Sequence, residues 1–415
     1  MKKPHFYDHI SLLILEDYDF YSNGGIETVV RSLVPELNAS TKSLIWVVPE
    51  HKLLLRRSHG LVSPEQVLSL KPVFASKGWL AYFLFKLLSR IGCQRITRRI
   101  ELALNNYAKN QRLESLVHQY GLTHLLSLAV FDQQHPSLSI PTYGIVHDTN
   151  YAPHWRDTCI SVLRRWHSMA TGIITISNWA REEIAAICST SNAHITVIPH
   201  AVTPPDNFTR STSCSARQSD VATFLYPATL APHKNHALLL QAFHLLYADG
   251  YRFRLVLCGY QTDGLRSNLT LDHPQLEEAR ASLLLSSPGF RACVDVLGAV
   301  SSEELEKLFS EANYVVLPTT YEGFGLPLSE ALVRDIPVIC SSIPPFREQV
   351  FFYSITKGVT FVNNSTTSDW ALAIKSELAS SLCQGISVTG NRRAFVNWSW
   401  HDVANAYLSL MSTDN

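Results

Sequence analysis

The sequence predicts an α/β protein of two domains, each with a parallel sheet. Three observations carry this reading. The chain has 415 residues, a length that suits two or three domains. Short apolar runs alternate with longer stretches of helical pattern, which argues for parallel sheets covered by helices on both faces. One stretch, 203–221, breaks the alternation: TPPDNFTRSTSCSARQSDV is rich in Pro, Ser, Thr, Asp and Asn and has no periodicity.

Taken in order, the first series of strands is ISLLIL (10–15), SLIWVV (43–48), HLLSLAV (124–130), TYGIVH (142–147), GIITIS (172–177) and HITVIP (194–199). The second is TFLYPA (223–228), FRLVLCG (253–259), VDVLG (294–298), YVVLP (314–318), PVICS (337–341) and GVTFV (358–362). Helical patterns such as GIETVVRSLVPEL and NHALLLQAFHLLYADG lie between most of them. The expected division is a first domain at 1–203, a linker at 204–221, a second domain at 222–392 and a terminal segment at 393–415. Open sheets of this kind bind ligands beyond the carboxyl ends of their strands.

Composition excludes several classes. Lys+Arg and Asp+Glu are 35 each, so overall charge points to no nucleic-acid partner. At 46% hydrophobic and 17% charged, the chain can bury large cores. No run approaches the ~20 apolar residues needed to span a bilayer. The start, MKKPHFYDHISLLIL, lacks the small-residue cleavage site of a signal peptide. Eight scattered cysteines with no CxxC pair read as reduced thiols, and the expected location is cytoplasmic.

The segment 319–332, TTYEGFGLPLSEAL, concentrates the chemistry. It follows a buried-strand pattern and leads into a helix whose first turn accepts Pro327. Its glycines permit backbone conformations closed to other residues and a close approach of ligand to main chain. A helix start exposes unpaired N–H groups and partial positive charge, which suits an anion such as a diphosphate. The residues alone leave a second reading open, in which the glycines only make the turn and Glu330 only sits favourably near a helix N-terminus.

EGFGLPLSEAL resembles the E-x7-E signature of retaining glycosyltransferases of the GT-B fold, glycosyltransferase family 4 (glycosyltransferase group 1) in particular. The similarity extends to PATLAPHKNHALLLQAF (227–243), VDVLGAVSSEELEKLFSEANYVVLP (294–318), IPPFREQV (343–350), NGGIETVVRSL (23–33), GIITISNWAREEI (172–184), VIPHAV (197–202) and NWSWHDVANAYLSL (397–410). It covers most of 10–412 and is weakest at 50–120. The resemblance implies two Rossmann-like domains facing an interdomain cleft, with a C-terminal helix returning to the first. It implies a metal-independent hexosyltransferase acting on a nucleoside-diphosphate sugar, with no cofactor besides that substrate.

Residue by residue, the resemblance implies that Lys234 binds the phosphates and Glu322 the hydroxyls of the donor sugar. Main-chain N–H groups of Phe324, Gly325 and Leu326 would meet the sugar and diphosphate. Glu330 would accept from the ribose hydroxyls, and Gly24 and Gly25 would let the first-domain loop close over the phosphates. The family places an arginine where this chain has Thr229, an uncharged donor in a leaving-group position. His147, followed by Asp148 in GIVHDTNY, matches a family histidine near sugar and acceptor; a strand-end histidine is as readily a hydrogen-bonded structural group. Ser177 reads as an N-cap for NWAREEI.

Two patterns suggest metals without supporting context. Asp17-Tyr18-Asp19 is a DxD motif outside the fold that uses it for metal, and His233 and His236 form an HxxH with no further ligands near. No metal site is expected. Residues 78–112 join an aromatic, leucine-rich run to seven Lys/Arg (Lys86, Arg90, Arg95, Arg98, Arg99, Lys109, Arg112) against one acid, Glu101. That suits either a core helix with a solvated basic face or peripheral docking on an anionic membrane.

PHKN with PPFRE resembles bacterial mannosyltransferases of surface polysaccharide synthesis, lipopolysaccharide O-antigen included. The expected donor is GDP-mannose first and a UDP-sugar second. The expected acceptor is a glycan or polyprenyl-linked glycan. Two alternatives are a sugar-nucleotide epimerase of the same plan, against which the E-x7-E register speaks, and a catalytically weak nucleotide-sugar-binding partner, which Thr229 favours.

Overall fold

The computed structural model describes residues 7–17, 25–70, 94–131, 134–150, 155–189, 194–205, 221–267, 271–363, 366–384 and 391–413. The chain divides into two compact units. One comprises Met1–Tyr21, Val30–Pro199 and His401–Asn415; the other comprises Ser22–Val29 and His200–Trp400.

The first unit runs β1 (Tyr7–Leu15), α1 (Gly25–Ser40, in this unit from Val30 on), β2 (Thr41–Pro49), α2 (Leu53–Ser58), β3 (Val67–Leu70), α3 (Gln94–Tyr120), β4 (His124–Ser127), β5 (Thr142–Val146), α4 (Arg156–Met169), β6 (Gly172–Thr175), α5 (Asn178–Cys188) and β7 (Ile195–Val197). Among the described residues these strands form a seven-stranded sheet of order β3-β2-β1-β4-β5-β6-β7, with every pair parallel. The order reverses between β1 and β4. The core joins strand residues Leu13, Val47, Leu125 and Val146 to Leu116, Leu163, Trp166 and Ile184 from the helices. Ser177 caps α5, its hydroxyl accepting from the Ala180 N–H at 3.1 Å. The short edge strand β3 was not expected from sequence. VLSL is four residues long and half-buried, and it becomes a strand by pairing with Trp46–Pro49.

The second unit runs β8 (Ala222–Pro227), α6 (His236–Ala248), β9 (Phe253–Cys258), α7 (Pro274–Leu284), α8 (Pro288–Arg291), β10 (Val294–Val296), α9 (Ser302–Glu311), β11 (Tyr314–Leu317), α10 (Leu326–Leu332), β12 (Val338–Ser341), α11 (Pro344–Phe352), β13 (Val359–Val362), α12 (Thr367–Gln384) and α13 (Arg392–Phe395). Among the described residues its six strands, all parallel, follow the order β10-β9-β8-β11-β12-β13. β11 and β12 are buried along their whole length, the signature of strands covered on both faces. The order reverses between β8 and β11, so the loops leaving those two strands lie side by side.

From His401 on, the terminal helix α14 (Trp400–Ser412) belongs to the first unit, where Leu408 and Met411 are fully buried and Tyr7 donates to the Asn405 carbonyl. The second unit begins at His200, ahead of the 203/204 division read from sequence. The reason is local packing: the His200 carbonyl accepts from the Tyr353 hydroxyl at 2.7 Å, and its ring lies 5.5 Å from Phe324 and 5.6 Å from Trp400. At the other end, Tyr353 against Phe395 and Phe352 against Trp398 hold 393–400 to the same unit.

Candidate functional site

Two loops meet at the switch point of the second sheet. The first leaves β8. Tyr226 near the end of that strand is buried, and its hydroxyl donates to the Lys234 carbonyl. Pro232 starts a 3-10 turn over Pro232–Lys234, and Asn235, left-handed at φ 57°, ends the turn and opens α6. Asparagine tolerates that conformation because its short polar side chain bonds locally. The second loop leaves β11 and is stitched to the first. The His233 carbonyl accepts from the Thr320 N–H at 2.8 Å, and the Thr319 hydroxyl lies 3.0 Å from the same oxygen.

This stitching brings together two residues distant in sequence. Lys234 Nζ lies 2.5 Å from Glu322 Oε1, with their side chains 15% and 14% exposed. The pair is therefore shielded yet reachable. Burial holds the Tyr226 phenol well above its ordinary range, with the Glu322 carboxylate adding to that effect. His233 is pushed down to about 4, first by burial and then by Lys234, against the pull of Glu322. His236 is pushed down to about 3 by burial, Lys234 and His233. Its ring packs 4.7 Å from Tyr226, and neither ring nitrogen has a partner among the described residues. At neutral pH both histidines are uncharged, so among the described residues of these two stitched loops the full positive charge is that of the Lys234 ammonium.

Past Glu322 the chain turns through Gly325, at φ 91° and ψ 59°. Only glycine fits: a Cβ would sit 2.3 Å from Phe346 Cε1. No side chain caps α10. Among the described residues, the N–H groups of Phe324, Gly325 and Leu326 donate to no protein acceptor. Their partner carbonyls are engaged: the Gln349 carboxamide donates to Phe324 O and, at 3.3 Å, to Gly325 O. Among the described residues, these amides without a protein acceptor thus follow two residues after the partner of Lys234, a constellation suited to a polyanion.

Glu330 lies on the second turn of α10. Its main-chain carbonyl accepts from Arg334 Nη1 at 2.5 Å, and among the described residues no group donates to its carboxylate. Burial raises its pKa, Arg334 lowers it and Glu306 raises it again. An acid that pays a desolvation cost without a protein donor is suited to a ligand that brings hydroxyl donors.

The other sequence-derived candidates stand elsewhere. The Thr229 hydroxyl donates to the Tyr260 carbonyl at 3.0 Å, on a loop that runs close to Gly259, where a Cβ would meet the Ala228 oxygen at 2.3 Å. His147 belongs to the first unit, just past β5. Its Nε2–H donates to the Leu128 carbonyl at 2.8 Å, and burial lowers it to about 4, so it is a neutral imidazole. Asp148 accepts from the Asn150 N–H at 3.0 Å. Gly25 is the first residue of α1, whereas Gly24 lies outside the described residues. Asp17 forms an ion pair with Lys109, while Tyr18 and Asp19 lie outside the described residues. Of the basic stretch, 78–93 also lies outside them; Lys109 is spent on Asp17 rather than presented to solvent. No described helix is long and apolar enough to cross a membrane.

Sequence reasoning did not single out Tyr226, Gln349 or the threonine stitching. A buried tyrosine on a strand and a glutamine in REQV carry no pattern of their own; their roles come from what folding brings near.

Comparison with known proteins agrees with this architecture. The crystal structure of Anabaena Alr3699/HepE in complex with UDP and glucose superposes with a TM-score of 0.67, covering 98% of this chain and 100% of that one at 13% identity. The fold is thus GT-B, two parallel-sheet α/β units. More narrowly, residues 211–384 match the family model of glycosyl transferases group 1. It is similar to the O-antigen chain mannosyltransferase RfbU of Salmonella typhimurium, 29% identical over 204 residues, 49% of this chain and 50% of that one. It is also similar to the GDP-mannose:cellobiosyl-diphosphopolyprenol alpha-mannosyltransferase of Komagataeibacter xylinus, 28% identical over 206 residues, 49% and 48% of the two chains. The chain spans half or less of the length of the curated relatives it matches.

Proposed function

We propose that this protein is a retaining, metal-independent glycosyltransferase that moves a hexose from a nucleoside-diphosphate sugar to a glycan or lipid-linked glycan. The observation that carries the reading is the switch-point constellation: Lys234 paired with Glu322 and, among the described residues, three N–H groups at Phe324–Leu326 with no protein acceptor and a Glu330 carboxylate with no donor. Each part meets one part of such a donor. The ammonium and the amides face the diphosphate, where negative charge grows as the glycosidic bond to phosphate breaks. Glu322 takes sugar hydroxyls once a phosphate competes for Lys234. Glu330 takes the ribose hydroxyls. Positive charge comes from the lysine, so this donor set supports phosphate stabilisation without a metal.

Mannose is the favoured sugar and GDP-mannose the favoured donor, with a UDP-sugar second; the support is similarity to relatives named as mannosyltransferases. A polyprenyl-linked acceptor follows from the same similarity and would place the enzyme on the cytoplasmic face of a membrane. In the first unit, His147 would contribute as a neutral hydrogen-bonding group near the acceptor rather than as a base. Gly24 and Gly25 would close over the phosphates.

One observation favours a second reading. With the Thr229 hydroxyl committed to Tyr260, leaving-group stabilisation from that position is absent, as expected of a nucleotide-sugar-binding protein with weak catalysis. Acceptor-dependent release of nucleoside diphosphate decides between them. Steady release with a mannosylated lipid-linked acceptor supports the transferase. Donor binding in a thermal-shift panel of nucleotide sugars with no turnover supports the second. Sedimentation with anionic liposomes tests membrane docking, and equal, negligible binding to anionic and neutral vesicles would remove it.

A further inference from the structure

Helix α11 presents Phe346 and Gln349, one turn apart and on one face, to the turn at Gly325. Phe346 fills the space where a side chain at position 325 would stand. Gln349, 2% exposed, places its amide nitrogen against the carbonyls of Phe324 and Gly325, and its oxygen accepts from the Ser329 hydroxyl. The orientation of the carboxamide is settled by chemistry: two carbonyls can only accept, so the NH2 faces them, and a hydroxyl can donate to the oxygen that remains.

Peptide planarity gives this contact a consequence. Across a trans peptide the C=O and the following N–H point in opposite directions. Holding Phe324 O on the α11 side aims the Gly325 N–H away from it. Holding Gly325 O, which also accepts from the Leu328 N–H at 3.1 Å, does the same for the Leu326 N–H. Without the carboxamide, the Phe324–Gly325 plane could rotate about the glycine, whose backbone has the widest freedom of any residue, whereas the Gly325 carbonyl would keep the Leu328 N–H.

We propose that Gln349 is the positioning residue of the donor site: by gripping the carbonyls of Phe324 and Gly325 it directs the N–H groups of Gly325 and Leu326 toward the diphosphate. The inference rests on the donor-site reading above. Ser329 belongs to the same device, since its hydroxyl fixes which end of the carboxamide faces the turn. Gln349 does not touch substrate; it acts through the peptide units.

The test is titration calorimetry of the full chain with GDP and with guanosine, UDP and uridine being run in parallel, on the parent and on Gln349→Met, Gln349→Glu, Ser329→Ala and Glu330→Ala. Gln349→Met keeps length and burial but removes the donor. It is expected to raise the Kd for diphosphate by roughly tenfold, the scale of one well-made hydrogen-bonding contact, with the nucleoside unaffected. Gln349→Glu sets a carboxylate against two carbonyls and should lose more. Ser329→Ala should shift the same selectivity in the same direction by less, and serves if the Gln349 variants do not fold. Glu330→Ala should weaken nucleoside and diphosphate alike. Unchanged GDP and UDP affinity in Gln349→Met and Ser329→Ala, or equal losses for nucleoside and diphosphate, would overturn the clamp while leaving the donor site intact. A parent chain that binds neither diphosphate would remove the donor site and the clamp together.

Discussion

Glu330 shows how much a single side chain can disclose. Its carboxyl is half-buried without a donor among the described residues, and burial raises its pKa. For an acid raised in the folded state, the charge opposes folding at neutral pH; the group favours folding only below its unfolded pKa, and that contribution is lost as pH rises through the folded value. Glu330→Gln is therefore expected to raise the melting temperature of the ligand-free protein at pH 7 and to leave it unchanged at pH 4. The same variant should bind nucleotide more weakly, since ribose hydroxyls favour the ionised acid. In the parent, affinity for GDP or UDP should fall as pH drops through the Glu330 pKa, above the ordinary 4.5, and calorimetry across pH 4.5–8 follows it. Lys234 and Glu322 separate differently. Lys234→Met should raise the Kd for diphosphate by about tenfold or more, the loss of a charge-assisted contact. Glu322→Ala should mainly reduce turnover. Parental transfer rates in both variants would contradict these roles. Both residues were legible in sequence from their motifs. Their mutual contact at 2.5 Å was not, because 88 residues separate them.

At the scale of an element, the turn between β11 and α10 owes its shape to a helix that follows it in the chain. Gly325→Ala forces a left-handed backbone on a residue with a Cβ and drives that Cβ into Phe346, costing about 1–3 kcal/mol from the backbone alone. A double-mutant cycle with Phe346→Ala should recover the steric part and not the backbone part, which denaturant melts can resolve. The strands themselves were readable: every apolar run read as a strand forms one, because a buried parallel strand is a short continuous apolar segment. β3 was missed because its pattern is weak and its partner supplies the order. Helix α10 was expected to start near Pro327, and it begins at Leu326 with proline in its first turn.

At the scale of the whole molecule, the six strands of the second sheet repeat the order of the first six positions of the seven-stranded sheet, and the two differ in what occupies the switch point. In the first unit, Glu16 follows β1 and is fully buried. It accepts from Arg56 Nε and Nη2 at 2.9 and 2.7 Å and from Lys52 at 3.2 Å, both cations also being buried. In the second unit, the loops at the corresponding place leave Lys234 and Glu322 reachable and, among the described residues, the amides without a protein acceptor. The same topology yields one position closed by its own ions and one open to a charged ligand. Glu16→Gln should destabilise the protein by about 3–5 kcal/mol, because two buried cations lose their counter-ion. Glu322→Gln should change thermal stability little, because its pair is shielded only in part. Melting curves of the two variants, read side by side, check the contrast.

The amino-acid sequence by itself determined the strand and helix pattern, the doubly built α/β plan and the glycine-proline turn with its two glutamates, because each is written in local periodicity or in residues close together in the chain. Tertiary structure decided which groups meet: Lys234 with Glu322, Gln349 with the carbonyls behind Gly325, Glu16 with Arg56 and Lys52, and His200 with the second unit. These are contacts between segments far apart in sequence, and burial and hydrogen-bond geometry, which no local pattern records, select them.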